Sequence, residues 1–174
     1  MSPALASVVP ARAQLARMSV HAVAFALILL FLPLTMAQDA SDKQIGVWKL
    51  NIERSQLPPS PNPIVSGSQT VEKVGPKKYR ETFNIVYKDG QTRKAETVRS
   101  YDGSEKKLEG QVPGTETCEI VDANTLKCTT KRNGKVTSEV SATILPDGKT
   151  MTARSKVISP DGQPTMSVRV YEKQ

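Results

Sequence analysis

The chain has 174 residues, with 24 Lys and Arg against 17 Asp and Glu, giving a formal net charge of +7. The basic residues are scattered among Thr, Ser and Glu, with no basic helix, aromatic platform or zinc pattern. That excludes nucleic acid as the expected partner and leaves a solvated, positive exterior.

Residues 1–37 differ in character from the rest. They hold Arg12 and Arg17, no acidic residue, the apolar run AVAFALILLFLPL from Ala22 to Leu34, and the small-x-small exit Thr35-Met36-Ala37. A basic start, a short apolar stretch and a small-residue exit define a secretory signal peptide. Pro33 breaks the run, which falls short of the roughly 20 residues of a spanning helix. An uncleaved N-terminal anchor is the alternative, and Met18 is an alternative start. No cysteine lies near Ala37, so lipoprotein processing is excluded. Cleavage removes two positive charges, leaving 137 residues at +5, enough for one domain with a single core and no stable membrane insertion. The expected location is the bacterial periplasm or the exterior.

The sole histidine, His21, belongs to the signal peptide. The domain over 38–174 therefore lacks the usual general base, the Ser-His and Cys-His pairs, and the commonest zinc ligand. Ser104-Glu105-Lys106-Lys107 contains S-x-x-K but follows the turn pair Asp102-Gly103, without accompanying S-D-N or K-T-G elements. No phosphate loop or D-x-D-x-D-G calcium spacing is present. We expect neither enzyme activity, nor a metal, nor a cofactor.

The first strand of the domain reads IGVWKLN, followed by a turn at Asn51–Ser55 and a Pro-rich loop over 57–67. Turn signals then recur at Gly75-Pro76, Asp89-Gly90, Asp102-Gly103, Asp122-Ala123-Asn124, Asn133-Gly134, Asp147-Gly148 and Asp161-Gly162. Asn-Gly and Asp-Gly tolerate the positive φ of tight hairpins. Between them lie alternating segments rich in Val, Thr, Ile and Tyr; YRETFNIVY places Tyr79, Phe83, Ile85 and Tyr87 on one face. The spacing predicts about ten strands of an antiparallel meander. Closing such a sheet removes its edges, so the expected fold is all-β, a single up-and-down antiparallel barrel of 8–10 strands. A β-sandwich is the alternative.

In TETCEIVDANTLKC, Cys118 and Cys128 lie symmetrically about Ala123. A three-residue loop Asp122–Asn124, with Asn124 left-handed, sets the two cysteines opposite each other, where a disulfide fits an exported protein. It would stabilise by about 3 kcal/mol or less, because the loop is short. Two reduced, buried cysteines are the alternative.

Gly46-Val47-Trp48 matches the G-x-W signature of lipocalins, and GVWKL resembles the GTWKL opening of intracellular fatty-acid-binding proteins. The terminal VRVYEK resembles the TRIYEK that closes many of them. The chain thus resembles the calycin superfamily over its mature length in outline and over about ten residues by motif. It is also similar to small exported bacterial lipocalin-like proteins that open with G-x-W-K-L-N and end in V-Y-E-K. The resemblance implies a barrel that takes a small lipophilic ligand, with Arg169 and Tyr171 facing inwards to hold a carboxylate. A guanidinium fork and a phenol make short, charge-assisted bonds to such a group. Arg93 or Arg99 would supply a second cation, with Tyr87 and Phe83 along the pocket; the facing of both arginines depends on a three-residue loop at Lys88-Asp89-Gly90. Calycins also lay a basic residue across the Trp of G-x-W, a place open to Arg169 or Lys173. Gly46 and Trp48 are then structural. Four prolines between Leu57 and Gly67 exclude the helical lid of the fatty-acid-binding branch. The competing function is an exported interaction domain with a filled barrel and no internal ligand.

Overall fold

The computed structural model describes residues 40–108 and 113–174, so residues 1–37, expected from sequence to be a signal peptide, lie outside the described residues. A helical turn, α1 (Ala40–Lys43), precedes five strands: β1 (Gly46–Gln56), β2 (Ile64–Gly75), β3 (Lys78–Tyr87), β4 (Thr92–Ser100) and β5 (Glu105–Leu108). Five more follow: β6 (Gly114–Ile120), β7 (Thr125–Arg132), β8 (Lys135–Ile144), β9 (Thr150–Ile158) and β10 (Pro164–Lys173). They form one antiparallel up-and-down sheet in the order β4-β3-β2-β1-β10-β9-β8-β7-β6-β5. Among the described residues no helix is long and apolar enough to cross a membrane.

The sheet curls until residues of β3 and β4 face those of β7, β8 and β9 across a common interior. Its hydrogen-bonded ladder does not close, because β4 and β5 stand at its two ends. Both edges carry the charges that discourage pairing with another chain: Arg93, Lys94 and Glu96 on β4, and Glu105, Lys106 and Lys107 on the four-residue β5.

Turn chemistry sets the register. Asn133 and Gly134 take φ of 49° and 74°, the two left-handed residues of a tight hairpin, and Arg132 pairs with Lys135. Lys88-Asp89-Gly90 does form a three-residue loop, so Ile85 pairs with Arg93 and Val86 with Thr92. Two local expectations are corrected. Asn124 is not among the left-handed residues; Asp122 Oδ1 accepts a hydrogen bond from the Asn124 backbone N–H at 2.7 Å and shapes the loop instead. Asn51–Ser55 is not a free turn but an irregular part of β1, where Ser55 Oγ accepts from the Val170 N–H at 3.0 Å as the pairing with β10 shifts. The Pro-rich connection runs over 57–63, because β2 begins at Ile64, and it contains no helix. Cys118 pairs with Cys128 and the two form a disulfide.

One end of the curled sheet is closed around Trp48, which is fully buried. Burying an indole removes on the order of 200 Å² from water and contributes about 5 kcal/mol. Its Nε1–H donates to the Gln44 carbonyl at 2.7 Å. Lys173 Nζ lies 5.0 Å from its ring centroid, so Lys173, rather than Arg169, crosses the Trp. Gly46 is required for this: at φ 130° it leaves room where a Cβ would meet Lys173 Cε at 2.8 Å. The α1 turn seals the same end. Lys43 Nζ donates to Ala123 O and Asn124 Oδ1, each at 2.7 Å, and Asp42 accepts from Lys73 and from the Tyr79 hydroxyl.

Candidate functional site

Residues directly opposed on neighbouring strands point to the same face, so the pairing gives the interior level by level. Above the Trp48 plug, Leu50, Tyr171, Met151 and Ile144 form a floor of large side chains. The next level places Arg169 beside Ala153, Ala142, Leu126 and Ile120. Above it come Ser167, Ser155, Val140 and the disulfide. The change from large residues to alanine and serine opens a cavity of about 180 Å³, beside Arg169 and Tyr171. Phe83, Glu81, Arg99 and Tyr101 form its other wall.

Two arginines enter this cavity, and their surroundings differ. Arg99 is engaged on both sides: its NH1 donates to Glu81 Oε2 and its Nε to Glu116 Oε2 at 3.1 Å. Glu81, with a side chain only 3% exposed, also accepts from the Tyr101 hydroxyl at 2.8 Å. Burial by itself would lower the Arg99 pKa; the carboxylates of Glu81 and Glu116 outweigh it and hold the pKa raised. This trio joins β3 and β4 to β6, strands that no backbone ladder connects among the described residues. By contrast, no carboxylate among the described residues lies within ion-pairing distance of Arg169, although it lines the same cavity. The neighbouring Tyr171 is buried. Burial pushes its phenol pKa up, and the Arg169 guanidinium partly offsets this. Tyr171 therefore keeps its proton at neutral pH and is available as a donor.

The cavity brings together Arg169, Tyr171, Arg99 and Phe83 of the residues expected from sequence. Arg93 and Tyr87 are elsewhere. Arg93 shares the interior face with Ile85, but lies exposed at the open end of β4. Tyr87 ends β3 opposite Ile64 and is not part of the cavity wall. Sequence reasoning missed Glu81, although it occupies the same alternation as Tyr79 and Phe83; a carboxylate on an otherwise apolar face was the available signal. Gln44, which precedes the first strand, carried no such periodic signal.

The tyrosines give a titration test. Burial raises the Tyr101 pKa well above 10.0, with Glu81 adding to it, and burial also raises those of Tyr79 and Tyr171. A phenol with a raised folded-state pKa contributes stability that is complete below its unfolded value, near 10, and is lost as pH climbs towards the folded value. Phenolate absorbance should show three tyrosines ionising late, together with unfolding, and the urea midpoint should fall above about pH 10. Early, independent ionisation of all four would contradict the burial.

No family model matches the chain, and no curated protein matches it in sequence. Solved structures do match. A single-residue variant of the fluorescent protein UnaG is 13% identical with a TM-score of 0.52, covering 76% of this chain and 97% of that one. Wild-type UnaG is 12% identical with a TM-score of 0.51, covering 76% and 98%. The fold is the antiparallel up-and-down β-barrel of UnaG. At these identities the likeness is one of fold alone. As-p18, an extracellular fatty acid binding protein, also matches at 17% identity and a TM-score of 0.46, covering 78% of this chain and 99% of that one.

Proposed function

We propose that this calycin barrel binds a small lipophilic carboxylic acid, with the carboxylate on Arg169 and Tyr171 and the apolar part against Phe83, Leu126 and Met151. The observation that carries this is a guanidinium facing a cavity of about 180 Å³ with no carboxylate partner among the described residues, while Arg99 a short way round the wall has two. Arg169 is half-buried, so its charge is partly desolvated without a counter-ion, and a ligand carboxylate would supply one. Arg99, already neutralised, is a structural element of the wall and not a second ligand cation. The cavity favours this reading over a filled interaction domain. We read the protein as a binder or carrier rather than an enzyme, acting outside the cytoplasm; the Cys118–Cys128 disulfide and the signal-peptide character of residues 1–37 support export.

Native mass spectrometry of protein purified from its own source tests the proposal. The expected result is a bound monocarboxylic acid on the wild type that is absent from Arg169→Met. A wild type that carries only its own mass, and takes up no monocarboxylate on addition, would overturn it.

A further inference from the structure

The floor of the interior is well filled, with Ile144 fully buried and Met151 2% exposed. One level up, the same two strands pair Ala142 with Ala153, and Ala153 is also directly opposite Arg169. Both alanines line the cavity, yet both are only half-buried. Interior side chains of folded proteins interdigitate with few voids, so an inward alanine with surface left over marks a recess in the wall. On the next level the Ser155 and Ser167 hydroxyls hydrogen-bond each other at 2.7 Å and bound the recess from above. Phe83 stands on the other wall of the cavity.

We propose, resting on the carboxylate reading of the same site, that the Ala142–Ala153 recess is a specificity pocket for a compact acid carrying a ring within one or two carbons of its carboxyl group. Position sets the distance. Ala153 is the direct cross-strand neighbour of Arg169, at a Cβ separation of about 5 Å, and Ala142 is one strand further on. A ligand held by its carboxylate on Arg169 therefore has room for bulk beside that group rather than many carbons away. Shape sets the ring. A straight chain leaves part of the recess empty and forfeits the contacts its lining atoms would make. A cavity near 150 Å³ holds about one benzene ring, so about 180 Å³ accommodates a single-ring acid that fills the recess and meets Phe83.

The test compares three acids of equal carbon count, octanoate, phenylacetate and cyclohexylacetate, titrated by calorimetry into the wild type, Ala142→Val, Ala142→Leu and Arg169→Met. Ala142 is the position varied because Arg169 then keeps its direct neighbour, Ala153. The ring acids should bind the wild type about tenfold more tightly than octanoate. Ala142→Leu should erase that advantage while leaving octanoate within about threefold, with Ala142→Val in between, whereas Arg169→Met should weaken every acid in the set. A ring acid is also stiffer than octanoate and loses less freedom on binding, but an advantage from stiffness alone would survive in both Ala142 variants. If the ring acids do not outbind octanoate, or if their advantage survives in Ala142→Leu, the recess is not a specificity pocket even though octanoate binds through Arg169. Should Ala142→Leu fail to fold, Ala142→Val decides, and an undiminished ring advantage there overturns the proposal. If none of the three acids binds the wild type, the carboxylate reading fails and this inference falls with it.

Discussion

Arg169→Met should lower the affinity for octanoate by about 10- to 100-fold, the loss of one or two charge-assisted hydrogen bonds in a partly dry cavity. Met keeps most of the aliphatic length of Arg, so the wall keeps its shape and the lost charge is what the titration reads. Arg93→Met is the matched control: it removes an equal charge from the same interior face but from an exposed position, and should change affinity by less than about twofold. Stability separates the binding role from a structural one. Because Arg169 has no carboxylate partner among the described residues, its removal should leave the urea midpoint unchanged or raise it. A large loss of stability would mean that Arg169 holds the barrel together instead.

Arg99→Met should have the opposite signature. Removing this guanidinium strands Glu81 and Glu116, with side chains 3% and 13% exposed, and should destabilise by about 3–5 kcal/mol. For a domain of this size that is a large share of a total of roughly 5–15 kcal/mol. The damage should be concentrated at the seam. Arg99 joins β4 to β6 where, among the described residues, the ladder is open, so amide hydrogen exchange in β4 and β5 should accelerate before that of β8, β9 and β10. Replacing the whole buried group, by Glu81→Leu, Arg99→Met, Glu116→Leu and Tyr101→Phe together, should recover most of the loss, since the Tyr101 hydroxyl that Glu81 accepts from goes too and a buried ionic group can often be exchanged for packed apolar residues. If Arg99→Met alone leaves the midpoint in place, the trio does not latch the seam.

Much of the fold was legible because hairpin chemistry is local. Asn133-Gly134 can adopt its turn with no help from the rest of the chain, and the three-residue loop at Lys88–Gly90 fixes which face Arg93 and Arg99 share. The disulfide was legible for the same reason, since the symmetry of TETCEIVDANTLKC places the two cysteines opposite each other whichever residue bends the loop. What was not legible depends on the curl of the sheet. Alternation says that Arg93 and Arg99 point inwards, but not that one ends in solvent at the open end and the other between Glu81 and Glu116. Likewise VRVYEK offers Arg169 and Lys173 on one face, four residues apart. Only the pairing of Trp48 with Lys173 decides which of them crosses the indole and which meets the cavity. Gln44 was out of reach altogether, because its role comes from the α1 turn folding under the barrel, a placement that no periodic pattern encodes.

The central claim is that a carboxylate sits on Arg169, and octanoate labelled with ¹³C at its carboxyl carbon tests this most directly. In the complex with the wild type, nuclear magnetic resonance should show that carbon shifted and correlated with the Arg169 guanidinium protons, with both effects absent in Arg169→Met. A bound octanoate whose carboxyl carbon titrates as it does in water, with no correlation to Arg169, would place the charged end at the open mouth and contradict the claim.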